Sequence, residues 1–203
     1  MPRLRSLALD EFDPELRAML NADQKSEREL RPTSIRAHHP EFAKAFVRFG
    51  AAFKEHAVLT LRLRELVRLR IAFHNQCRSC MAMRYADAVD AGVTEELVCS
   101  LEQPHEASDL TSAERVALRY ADLLATNHLA IGEALYAELA EHFSDKEMVE
   151  LGSWCAICIG FGRLSATWNM VEDLPERFQA VSNKTVAPWG PDAWITHSSP
   201  KSA

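Results

Sequence analysis

The chemistry of this chain concentrates in the run from Glu65 to Arg84, ELVRLRIAFHNQCRSCMAMR. On one helix, at ~100° and ~1.5 Å per residue, Cys77 and Cys80 stand less than a turn apart, close enough for a disulfide. Asn75 reads as the N-cap, which puts both thiols in the first turn and a half. Unpaired amides and the helix dipole favour a thiolate there. Arg84, four residues past Cys80, falls on the same face and adds a cation, although arginine does not accept a proton.

Three chemistries fit this cysteine pair. A redox dithiol uses one thiolate to attack an oxidant, and the neighbour resolves the sulfenic acid into a disulfide. A zinc site would take His74, Cys77 and Cys80 with Cys99 or His105 as a fourth ligand, but a second C-x-x-C at zinc-module spacing is absent. The third reading is two buried structural cysteines. Cys155-Ala-Ile-Cys158 repeats the spacing inside an apolar helix, where burial raises a thiol's pKa, and reads as core packing. Cys99, in EELVCSL, reads as a core position on a short helix.

The elements that must position these residues follow a helical period. Asp13-Pro14-Glu15 opens a short helix through about Leu20. Residues 21–36 are polar and read as a connection or a frayed helix. Pro40 opens another helix with Phe42, Phe46, Val47 and Phe49 on its apolar face. Leu63, Leu66, Val67, Ile71 and Ala72 then repeat at helical spacing, with Arg62, Glu65, Arg68 and Arg70 between them. Asn75 starts a helix from about Gln76 to Ala91, ended by Gly92. Thr111-Ser-Ala-Glu114 and Ser144-Asp-Lys-Glu147 are capping boxes. The second opens a helix towards Met170 that is apolar nearly all round, as a central or interface helix is. No strand-like alternation of comparable length occurs, so the expected class is all-α.

From Pro175 the period is lost and Pro188, Gly190, Pro191 and Pro200 appear, yet Trp189 and Trp194 lie in this stretch. The expected organisation is one domain over residues 1–174, with its core at about 30–170. The irregular tail, 175–203, is expected to dock on the body or on a neighbouring subunit.

The chain has 203 residues, 47% of them hydrophobic and 26% charged, which suits one folded core and excludes a disordered chain. A formal charge of −6 gives no general attraction to nucleic acid or anionic membranes. No apolar run reaches the ~18 residues of a membrane span, and the first residues lack a signal-peptide apolar region. Five cysteines, an odd count, without a secretion signal lead to the expectation of a reducing, cytoplasmic location.

Glu65, eleven residues, Cys77-x-x-Cys80 and the stretch ADAVDAGVTEEL from Ala86 to Leu97 together resemble the carboxymuconolactone decarboxylase superfamily, in its AhpD-like alkylhydroperoxidase branch. RPTSIRAHHPEFAKAF, LTSAERVALRYADLLA and FSDKEMVELGSWCA extend the resemblance over roughly residues 30–170. It implies an AhpD-like helical fold, homo-oligomeric assembly and a thiol peroxidase activity without cofactor or metal. It also implies small hydroperoxides as substrates and a dithiol or lipoyl-type protein as reductant. By the same resemblance Cys80 is peroxidatic, Cys77 resolving and Glu65 part of the proton relay. On its residues alone, Glu65 would be an exposed helix partner of Arg62 or Arg68.

The chain departs from the family where a histidine stands four residues after the second cysteine: here that residue is Arg84, left with thiolate stabilisation. His74, three residues before Cys77, is a candidate base in its place if the backbone is helical between them, or else a capping or core histidine. Rival readings are a decarboxylase-type or other small-molecule enzyme on the same fold, and a non-catalytic redox sensor.

Overall fold

The computed structural model describes residues 2–179 and 185–190, and the backbone of 195–197. Trp194, half of the aromatic argument for a docked tail, lies outside the described residues. Helices follow one another as α1 (Pro14–Met19), α2 (Glu27–Arg36), α3 (Pro40–Glu55), α4 (Leu61–His74) and α5 (Arg78–Ala82). A three-residue strand β1 (Met83–Tyr85) leads into α6 (Ala86–Asp90), α7 (Glu95–Cys99), α8 (Ser112–Thr126), α9 (Glu133–Ala140), α10 (Asp145–Trp168) and α11 (Glu176–Gln179). The fold is all-α, and among the described residues one small sheet pairs β1 in parallel with β2 (Ile195–His197), in the register Met83 to Ile195.

Local chemistry accounts for most helix starts. Asp13 accepts from the Leu16 amide with Pro14 at the first helical position, and Thr60 accepts from Leu63. Both expected capping boxes form, Thr111 with Glu114 and Ser144 with Glu147. A third, Ser26 with Glu29, opens α2 inside the polar stretch expected to be a connection or frayed. That stretch is helical from Glu27 because Leu30 and Ile35 are buried, and packing supplies what its composition lacks.

The central helix is α4, not α10. Leu66, Val67, Leu69 and Ile71 are fully buried, and α4 packs against both α8 and α10. Five of its ionisable residues are tolerated inside or at the edge of the core because they are paired, Arg62 with Glu114, Arg70 and His74 with Asp122, and Glu65 with Arg68. On α10, Leu151, Cys155 and Trp168 are buried, while Val149 is 70% exposed and Leu164 is also exposed. Cys99, expected in the core, is exposed at the end of α7; Leu97 and Val98 are the residues of that helix that turn inward.

The expected helix from Gln76 to Ala91 starts two residues late and is broken once. Gln76 takes a left-handed conformation (φ 49°), so α4 and α5 are separate helices. Past Ala82 the backbone becomes extended and pairs with β2, then turns helical again at Ala86. Asn75 does not cap the cysteine helix. It closes the C-terminus of α4, donates to the Cys158 carbonyl at 2.9 Å and accepts from Arg163, which ties α4 to the middle of α10. Gly162 permits that contact, since a Cβ there would stand 2.4 Å from the Asn75 amide nitrogen.

Candidate functional site

Cys77 is the N-cap of α5 and Cys80 lies in its first turn, with the two sulfurs joined in a disulfide and the Cα atoms 5.2 Å apart. The two cysteines differ in access. Cys77 is 0% exposed, whereas Cys80 is partly exposed beside a cluster that includes Ala72, Met81, Val171, Leu174 and Phe178. The left-handed Gln76 makes this possible, because it turns the chain sharply after α4 and lets the Cys77 amide donate back to the Ala72 carbonyl at 3.1 Å.

Glu65 is buried at 4% exposure, and Arg68 grips both its oxygens at 2.6 and 2.7 Å. The same guanidinium donates to the Cys80 carbonyl at 2.7 Å and to the Met83 carbonyl at 2.8 Å. Glu65 therefore reaches the cysteine segment through Arg68, which fastens the middle and the C-terminal end of α5 to α4. The sequence names Arg68, at i+3, as a surface partner of Glu65, and misses that the pair is buried and that the guanidinium holds the cysteine segment. The Arg68 guanidinium also lies 4.9 Å from the centroid of the Tyr85 ring, a residue missed because the break at Met83 displaces it from a helical position.

Arg84 is placed differently from the sequence expectation, and His74 takes the second of its two readings, a partnered core histidine at a helix end. With α5 ended at Ala82, the face that was to carry Arg84 beneath Cys80 does not exist. Arg84 is 0% exposed and donates to Glu95 and to the carbonyls of Met81, Met83 and Pro188. Those contacts make it a clamp joining β1, α7 and the C-terminal segment, rather than a thiolate stabiliser. His74 shares the Asp122 carboxylate with Arg70, its Nε2 standing 2.7 Å from Oδ1. The turn at Gln76 interrupts the helix that was to bring His74 under Cys77. Burial pushes the Asp122 carboxyl up, but the hydrogen bonds from His74 and Arg70 outweigh it and hold the group below its ordinary value.

The second cysteine pair is set apart from the first. Burial pushes the Cys155 thiol up, and it pushes Cys158 up to about 12, with the Arg68 charge opposing and Glu65 adding to the rise. Around the dithiol the C-terminal segment closes in. Gln76 exchanges hydrogen bonds with both backbone groups of Val186, and the Trp189 ring lies 4.7 Å from that of Phe73. No helix among the described residues is long and apolar enough to cross a membrane.

Residues 40–123, which contain α3, α4, the dithiol and most of α8, match the model of the carboxymuconolactone decarboxylase family. An uncharacterized protein of Mycobacterium tuberculosis is 43% identical over 89 residues, covering 43% of this chain and 31% of that protein, so the chain spans under a third of that relative's length. Among solved structures, the alkylhydroperoxidase AhpD core of an uncharacterized peroxidase-related protein from Ralstonia eutropha superposes with a TM-score of 0.70 at 19% identity, covering 88% of this chain and 94% of that one. The debrominase Bmp8, as its C82A variant with 2,3,4-tribromopyrrole, superposes at 0.67 with 18% identity, covering 83% and 90%.

Proposed function

With residues 40–123 in the carboxymuconolactone decarboxylase family and an AhpD-like fold around them, we propose that this chain is a thiol-dependent peroxidase acting on small hydroperoxides. The observation that carries the reading is the asymmetric pair: an accessible Cys80 bonded to a sealed Cys77, on a loop fastened to the buried Glu65 through Arg68. The Cys80 thiolate attacks one peroxide oxygen, the O–O bond breaks, and the alcohol leaves with a proton. The sulfenic acid on Cys80 is then attacked by Cys77, which releases water and forms the disulfide. A dithiol or lipoyl-type protein returns two electrons and two protons. Glu65 is the group on this face able to give and take the protons, with Arg68 positioning it.

The reading includes a cytoplasmic, reducing setting and a homo-oligomer. Val149, Leu164 and Leu129, the last 85% exposed, are apolar side chains that a subunit contact would cover. A small-molecule enzyme of another kind on the same fold is the second reading, favoured by an aromatic cavity beside Glu65.

Peroxide-dependent oxidation of wild type, Cys77→Ser and Cys80→Ser, followed by mass mapping, separates the readings. A sulfenic acid trapped at Cys80 in Cys77→Ser and no fast reaction in Cys80→Ser are expected. Fast oxidation at Cys77 reverses the roles, and an unreactive wild type sinks the peroxidase.

A further inference from the structure

Beside the Glu65–Arg68 pair lies a cavity of about 500 Å³, within the ~300–1,000 Å³ range of small-molecule sites. Its walls are Phe46, Phe49, Phe53, Tyr85, Trp154 and Ile157, contributed by α3, β1 and α10. The Phe53 and Trp154 rings stack at 5.4 Å, and the Trp154 indole nitrogen donates to the Arg64 carbonyl at 2.8 Å, which fixes the wall to α4.

The charged lining carries one cation in excess, Lys25, Lys54, Arg64 and Arg68 against Glu29, Glu65 and Asp87. Glu65 is held by Arg68, and Asp87 stands 3.4 Å from Lys54. Glu29 serves the Ser26 capping box. Arg64 also lines the cavity, and among the described residues no hydrogen bond or ion pair engages its guanidinium, whose Nε is buried. Behind the Phe46 wall, the Arg36 guanidinium lies 4.5 Å from the Phe46 centroid and 5.3 Å from that of Trp168, and its buried Nε is likewise without a hydrogen bond. Arg64 has no protein acceptor among the described residues, so an acceptor that enters the cavity can pair with its guanidinium at no cost to an existing ion pair.

We propose that this cavity binds an amphiphilic organic acid, a carboxylate on an aromatic or branched apolar body, with Arg64 as the carboxylate's partner and the aromatic walls around the body. Glu65 and Arg68 line this cavity and Arg68 also holds the Cys80 carbonyl, so the bound acid is the body of the hydroperoxide that Cys80 reduces. That last step rests on the peroxidase reading; the binding itself does not.

The test is calorimetric titration of the wild-type protein, without peroxide, using 4-phenylbutyrate and its neutral match 4-phenylbutanamide. One-to-one binding of the acid is expected, at least tenfold tighter than the amide, with Arg64→Gln removing most of that gap. Phe49→Ala, at a ring 48% exposed, spares the core and is expected to weaken both compounds several-fold. No binding of the acid, equal affinity for acid and amide, or acid binding untouched in folded Arg64→Gln and Phe49→Ala overturns the proposal. Binding that holds in a protein unreactive to peroxide removes only the peroxidase reading.

Discussion

Arg68 Nη1 donates to the Cys80 carbonyl at 2.7 Å, so the cysteine helix hangs from the same guanidinium that grips Glu65. Both partners of the ion pair are buried, and removing one leaves the other uncompensated. Arg68→Met is expected to cost about 3–5 kcal/mol in urea unfolding, the range for breaking a buried pair. Arg68→Lys keeps the charge but not the fork, and should recover only part of that loss. A loss under about 1 kcal/mol for Arg68→Met would mean that α5 is held by other contacts.

Arg84, the residue four past Cys80, faces Glu95 and the Pro188 carbonyl. Arg84→His is therefore expected to destabilise the fold by about 2–4 kcal/mol through unpaired buried groups, without speeding Cys80 oxidation. Stopped-flow oxidation on protein verified as folded decides this, and a clear gain in rate would restore a site role for position 84.

These two arginines mark where the sequence could be read and where it could not. Pro14, the Thr111 and Ser144 capping boxes and the C-x-x-C spacing act within one or two turns, and their local chemistry is unambiguous. The Ser26–Glu29 box was equally local, but its polar surroundings hid it. The break of the cysteine helix was not legible, because β1 is extended only by pairing with a strand more than a hundred residues on. Likewise the partners of His74 and Arg84, Asp122 and Pro188, are chosen by tertiary packing.

Asp122 sets an acid limit. Its carboxyl is held below its ordinary value in the folded state, so its stabilising contribution is present above the unfolded value of about 4 and is lost as pH falls through the lower folded value. Chemical unfolding between pH 7 and pH 3 should show stability falling below about pH 4. Asp122→Asn should be less stable at neutral pH and show a flatter acid slope. An unchanged slope would assign acid sensitivity to other carboxylates, Glu114 with Arg62 foremost.

The five cysteines should separate by access and ionisation. After reduction, brief iodoacetamide treatment at pH 8 is expected to label Cys80 and exposed Cys99, leaving Cys155 and Cys158 unmodified because burial pushes both thiols up. Cys77 should label only slowly. Peptide mapping that finds Cys158 modified as fast as Cys99 would contradict the packing of α10 against α4.

The dithiol is bracketed by two residues, Gln76 and Arg84, that both fasten to residues 186–188. A growing chain exposes its cysteines long before it makes the segment that braces them. During synthesis the pair therefore passes through a stage in which both thiols are open to solvent, and the difference in access that separates their roles is acquired last.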